Sequence, residues 1–166
     1  MGTASMSTDK EIREHVSKVL DWGDAHADFE AVLDGIPPAQ RGVQPDGLPY
    51  SAWQLLEHLR LAQLDIYDFC VNAKYTQMKW PDDYWPKSPE PPSDAAWDKS
   101  LEGYRRDLEK LQALAMDTSI DLTARIPHGE GQTYLRELLL VADHTAYHLG
   151  QLVLVRRLLG NWHPRT

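Results

Sequence analysis

His144 and His148 lie four residues apart in the stretch LVADHTAYHLGQLVLV. On a helix that spacing puts both rings on one face with Cβ atoms about 5–6 Å apart, close enough for two imidazoles to reach one metal ion. Val141, Leu152 and Val155 share the face, so it is expected to point into the protein. A third imidazole comes from elsewhere: His58, in Leu55-Leu56-Glu57-His58-Leu59, falls on the stripe of Leu55, Leu59 and Ala62. Each neutral ring carries a donor and an acceptor that need partners when buried. A shared divalent ion satisfies one nitrogen on each ring. Ordinary core histidines bonded to carbonyls or water are the competing reading, and the residues alone leave both open. Three histidines on one ion leave a coordination position for water or substrate, and Zn²⁺ would lower the pKa of that water to about 7. Imidazole ligands suit Zn, Ni, Fe or Cu, and the sequence does not choose among them.

Helical phase nominates the neighbours of such a centre. Gln54 lies one turn before His58, and Asp65 two turns after it on a similar face. Asp65 is a candidate to orient an imidazole or act as a base, with a solvated carboxylate at the bundle end as its alternative. Gln151, three after His148, is a candidate to reach the open coordination position. Glu57 and Asp143 each precede a histidine by one residue, which turns them about 100° away. Solvated or inter-helix roles are expected for both. His26 and Glu30 are also four apart, and they are expected to form a surface pair rather than line a site. Trp80, Tyr84 and Trp85 cluster between prolines, where they either roof a pocket or plug one end of the fold. The plug is the favoured reading.

Four helical segments are predicted to carry these residues. The first covers Thr8 to Leu33, opened by a capping box at Thr8–Glu11, with Ile12, Val16, Val19 and Leu20 as its apolar stripe. Residues 1–7 are expected to be a flexible lead-in. The second begins at Ser51, again with a capping box to Gln54, and fades near Tyr75. The following TQMKWPDDYWPKSPEPP holds five prolines and is excluded from regular helix. Ser93 is the expected N-cap of the third helix, whose stripe is Trp97, Leu101, Tyr104, Leu108, Leu111 and Leu114/Ala115. The fourth runs from Thr133 to a terminating Gly160, with Arg156 and Arg157 suited to its C-terminus. No strand pattern appears. These elements predict an all-α fold, a single four-helix bundle over residues 1–166. Its connections exceed the two to eight residues usual between bundle helices, so at least one is expected to cross over.

Composition narrows the function. Hydrophobic residues are 42% and charged residues 25% of the 166, a globular balance. The 17 Lys and Arg against 25 Asp and Glu give a net charge of −8, which repels phosphate backbones and argues against a nucleic-acid partner. No membrane-spanning run and no signal peptide are read in the sequence, so a cytoplasmic location is expected. The lone Cys70 excludes an internal disulfide and reads as a small core residue.

The stretches LLEHLRLAQ, IPHGEGQT and DHTAYHLGQLVLVRRLLG resemble the DinB / YfiT-like superfamily, over nearly the whole chain. The resemblance implies a four-helix bundle, a divalent metal held by His58, His144 and His148, and a homodimer. It also implies a small-molecule substrate, in some branches with a low-molecular-weight thiol as cosubstrate. Some thiol-using branches carry Glu where His144 stands, a departure that counts against that branch here. The expected function is a metal-dependent hydrolase or thiol transferase. The alternative is a non-catalytic metal or small-ligand binding module, connected to stress.

Overall fold

A computed structural model describes residues 2–162, with the side chains of residues 2–7 left out. Of the expected flexible lead-in, residue 1 lies outside the described residues, and residues 2–7 have the helical backbone of the start of the first helix. Four long helices form the bundle: α1 (Gly2–Val19), α3 (Ala52–Val71), α4 (Asp94–Met116) and α5 (Tyr134–Leu158), with a short α2 (Phe29–Leu33) between the first two. α1 and α3 each pack against both α4 and α5, which sets α1 diagonally across from α3.

The first helix departs from expectation. It ends at Val19 rather than Leu33, and Thr8–Glu11 lie inside it rather than at its start. Leu20 and Asp21 turn the chain out of α1, and Asp28 then caps a new helix by accepting from Ala31 N at 2.8 Å. The competing N-cap outweighs continued periodicity, because its carboxylate satisfies a donor that a fresh helix start would leave orphaned. The buried face of α1 also differs: Ile12 is exposed, and Arg13 takes its place beside Val16 and Leu20. Arg13 is held by the carbonyls of Ala115 (3.2 Å), Asp117 (2.8 Å) and Ile120 (2.7 Å), so it caps the end of α4 from a neighbouring helix.

The other helix starts follow the sequence. Ser51 accepts from Gln54 N while the Gln54 side chain takes Ser51 N–H, a complete capping box. Ser93 and Thr133 cap α4 and α5 through their hydroxyls alone, accepting from Ala96 N and Arg136 N. Gly160, at φ 70°, lets Asn161 N–H turn back onto Arg156 O and close α5. Arg156 does more than suit a helix C-terminus. It is buried, and its guanidinium donates to Val32 O at 2.7 Å, tying α2 to α5.

α3 and α4 run parallel: Ser100 bonds Glu57 at 2.6 Å, and further along Lys110 lies over the Tyr67 ring. The connection over residues 72–93 must therefore return the full length of α3, about 30 Å at 1.5 Å per residue. This is the expected crossover. It lies back along α3, with Tyr84 bonded to Asp65, Pro86 O to Gln54 and Pro89 O to Ser51. That return path brings it over the middle of α3, where His58 sits. Of the described helices, α5 is the one long and apolar enough to cross a membrane by composition, and here it supplies a core face to its neighbours.

Candidate metal centre

His58 projects from the middle of α3, and His144 and His148 from adjacent turns of α5. The antiparallel packing of these two helices brings the rings together. One candidate ligand nitrogen from each lies within 4.8 Å of the others, and His58 Nε2 stands 3.0 Å from His144 Nε2. Bonds of about 2.0–2.1 Å in a tetrahedral arrangement put ligand nitrogens about 3.3 Å apart, so small ring adjustments accommodate one ion. His58 and His148 are buried and His144 is half-buried.

Two of the rings are fixed in tautomer as well as in position. His58 Nδ1 lies 2.9 Å from the Tyr84 carbonyl, which only accepts, so Nδ1 carries the proton and Nε2 presents a lone pair. His148 Nδ1 donates to Gln151 Oε1 at 2.7 Å, leaving its Nε2 as a lone pair too. The Trp85 ring lies flat on His58, 3.8 Å between centroids and 7° between planes, and fixes its tilt. Tyr147 packs edge-on against His148.

Electrostatics keeps the cluster neutral. Burial pushes His58 down to about 4, partly countered by the Tyr84 carbonyl, with His148 lowering it further. Burial and the two neighbouring imidazoles push His144 down to about 3. Burial lowers His148 as well, against the opposing effect of its hydrogen bond to Gln151. All three rings are thus neutral near pH 7, the state in which imidazole binds metal. Neutral rings whose candidate ligand nitrogens lie within 4.8 Å of one another fit a divalent ion. Buried histidines satisfied only by carbonyls would have no reason to converge.

The neighbours nominated by helical phase divide. Gln151 reaches the far nitrogen of His148 rather than an open coordination position. Asp65 touches no imidazole: it accepts from Tyr84 at 2.7 Å and from Tyr75 at 3.0 and 3.1 Å. Two turns along α3 carried it past the histidines, to where the crossover loop meets the helix. Gln54 is spent on the capping box and on Pro86 O. Glu57 takes the inter-helix role, bonded to Arg60 and Ser100. Asp143 is exposed. His26 and Glu30 form no pair with each other, because the break before α2 separates them; Glu30 instead holds Arg105 through both oxygens at 2.6 and 2.7 Å. Cys70 is buried, which pushes its thiol up to about 12, as a core residue would be.

The aromatic cluster is not an end plug. Trp85 is stacked on His58, Tyr84 meets the same ring with its backbone carbonyl, and Trp80 lies 6.4 Å from it, largely exposed. Sequence reasoning missed the Tyr84 carbonyl, since a backbone acceptor has no residue signature. The aromatic pair just before Pro86 was the available signal. An apolar cavity of about 350 Å³ lies not at the histidines but beside Leu20, Trp22, Phe29, Ala142 and Leu149. The histidine cluster is still the candidate site, because it is where donor atoms converge.

A family model described as the DinB superfamily matches residues 22–152. Neither a curated protein nor a solved structure matches the chain.

Proposed function

The chain belongs to the DinB superfamily, and from that premise we propose that it is a metal-dependent enzyme whose divalent ion is held by His58, His144 and His148. The observation that carries the reading is the tautomer lock: Tyr84 O and Gln151 Oε1 each fix a proton on Nδ1 and so free Nε2 for an ion. A bound divalent ion would supply Lewis acidity, lowering the pKa of a small nucleophile beside it. That nucleophile is water in a hydrolase or a low-molecular-weight thiol in a transferase.

The chain's own residues then orient and exclude. Asp65 is committed to two tyrosines and Glu57 to Arg60 and Ser100, so neither is placed to take a proton from a substrate at the histidines. Trp85 shields one face of His58. The exposed Trp80 stands beside His58 and the exposed Tyr147 packs on His148, and a small substrate would approach the cluster past these two rings. Zn, Ni and Fe all suit three imidazoles. The unpaired Cys70 suits a reducing, cytoplasmic setting.

Metal analysis of protein purified without added metal tests the first half of this reading. About one equivalent is expected, falling below a tenth in His58→Ala and His148→Ala. Less than a tenth in the wild type, even after incubation with Zn²⁺, Ni²⁺ or Fe²⁺, overturns it. The second half is tested by turnover of an ester and amide panel, and by thiol loss with an electrophilic acceptor. The burial of His58 and His148 favours a second reading, a non-catalytic metal or small-ligand module, possible if no exchangeable water reaches the ion. Water-proton relaxation on the Mn²⁺- or Co²⁺-loaded protein separates the two: no exchange together with no turnover selects the module.

A further inference from the structure

The cavity of about 350 Å³ beside α5 lies where α1 stops. One wall is the chain between Val19 and Phe29, and the other is α5 from Leu139 to Leu149. Leu20, Phe29, Ala142 and Leu149 are buried and give it an apolar floor. Apolar walls with a few polar groups are what a small-molecule pocket presents. The ionisable side chains of the lining are Asp21, Asp28, Asp143 and His26, with no Lys or Arg among them. Asp21 and Asp143 are exposed and Asp28 is half-buried, so the carboxylates stand toward the mouth.

Two groups there are left without the partners they need. Asp28 is engaged as the cap of α2, and Glu30 is held by Arg105. Asp21 has neither a side-chain hydrogen bond nor an ion pair among the described residues. Partial burial, then the carboxylates of Asp28 and Glu30, push its carboxyl up. Lys18, three residues before it, is spent on Asp24 at 2.7 Å. The second group is the Tyr104 hydroxyl. Its ring is wholly buried and stacked on Phe29, 3.8 Å between centroids, and the hydroxyl has no well-formed hydrogen bond. Thr145 and Asp21, both cavity lining, are the groups that act on it, which sets it at the inner wall. A buried hydroxyl without a partner is costly, and such groups are few in a folded protein.

We propose that this cavity binds a small amphipathic amine, its apolar body on the floor and its ammonium among Asp21, Asp28 and Asp143. A cation there relieves the mutual repulsion of the carboxylates, and an anion adds to it. The net charge of −8 acts in the same direction. The ammonium donates to Asp21 and lies on the side where the Tyr104 oxygen lacks a donor. No histidine of the metal cluster lines the cavity, so the proposal stands whether or not those rings hold an ion.

Isothermal titration calorimetry on the full chain tests it with phenylbutylamine, phenylbutanol and phenylbutyrate, which share a body and differ in charge. The amine is expected to bind about ten-fold more tightly than the alcohol, with the carboxylate weakest. Asp21→Asn is expected to weaken the amine by about five-fold and to leave the alcohol unchanged. Ala142→Phe, which fills the floor, is expected to abolish binding of both, with circular dichroism confirming helicity. Should that buried substitution unfold the chain, the exposed Asp21→Asn still decides. Amines also ligate metals, so the titration is repeated on chelator-stripped protein, where the same affinity is expected. No heat with the amine overturns the proposal, and so does an alcohol or carboxylate that binds as tightly. An amine affinity that Asp21→Asn leaves unchanged, or that disappears with the metal, overturns it too.

Discussion

Two pairs of residues in this chain carry the spacing that invites a site, and they end differently. His144 and His148 sit four apart on an unbroken α5, and His26 and Glu30 sit four apart in a stretch where the helix stops after Val19 and restarts at Phe29. In the first pair the spacing becomes geometry, and a third ring arrives from α3 to meet it. In the second it becomes nothing: Glu30 goes to Arg105, and His26 bonds its neighbour's carbonyl at 3.0 Å. The surroundings differ in the same sense. Around the α5 pair each ring nitrogen away from the cluster on His58 and His148 has a fixed partner. Around His26 lie an apolar cavity and Asp21, whose carboxyl is raised by burial and by nearby Asp28 and Glu30. Residue types alone do not distinguish these regions. An intact helix and a held far nitrogen do.

The contrast is broken most directly by removing one ring from each. His58→Ala is expected to lower metal affinity by more than about 100-fold, since two imidazoles rarely hold an ion that three hold well. His26→Ala is expected to leave it unchanged. Competition titration with a chromophoric chelator reads both, and equal losses would erase the distinction. Gln151→Leu is expected next in size. It removes the acceptor that fixes the His148 tautomer, which costs about 10–100-fold in affinity while leaving stoichiometry intact at saturating metal.

Arg13 tests whether the α1 side of the bundle serves stability alone. Arg13→Ala strands carbonyls at the end of α4 and in the loop after it, and is expected to cost about 2–4 kcal/mol in chemical denaturation. Metal affinity should hold. A parallel loss of affinity would mean that α1 transmits to the histidines and that the two regions are not separate.

Much of this was legible in the sequence, for identifiable reasons. Ser51, Ser93 and Thr133 announced their helices because a hydroxyl cap is a local signal that tertiary packing seldom overrides. The three histidines announced themselves because polar rings on apolar stripes need a joint explanation. The break at Val19 was hidden by apolar residues that continue the helical period through Leu33, and the cap at Asp28 looked like any other surface aspartate. Arg13 was hidden because a buried guanidinium is satisfied by carbonyls from a distant loop. The roles of Tyr84 and Trp85 depended on a parallel α3–α4 pair, since only that topology forces the proline-rich connection back across His58. Helical phase alone placed Asp65 near the cluster and Gln151 at its open side. Both were one contact off, because phase gives a direction and not a reach.

Acid sharpens the contrast further. In the folded protein His58 titrates at about 4 and His144 at about 3, against an ordinary 6.5, mainly because burial disfavours the charged rings. Between those values the unfolded chain binds more protons than the folded one, so stability rises with pH across the window. Metal-free protein is therefore expected to hold its full histidine contribution above about pH 6.5 and to lose it progressively as pH falls toward 4. His58→Gln, which removes a titrating ring, should flatten that slope in denaturation midpoints measured across the window. A slope unchanged by the substitution would place the acid sensitivity elsewhere.

The smallest effect is expected at Asp65, because it acts on the histidines only through another residue. Its carboxylate accepts from the Tyr84 and Tyr75 hydroxyls, and Tyr84 in turn offers its backbone carbonyl to His58 Nδ1. Asp65→Asn keeps one acceptor oxygen and exchanges the other for a donor, so one tyrosine hydroxyl must re-pair or turn away. A neutral hydrogen bond is worth about 1 kcal/mol net, and only the part of that loss that moves the Tyr84 carbonyl reaches the ring. Metal affinity should therefore drop by about three-fold, roughly half of that energy. The looser loop should also show in tryptophan fluorescence, since Trp85 is stacked on His58 and follows Tyr84 in the chain. A fall as large as that of Gln151→Leu would mean that Asp65 works on the imidazoles directly, and that the loop has a second position in which its carboxylate reaches them.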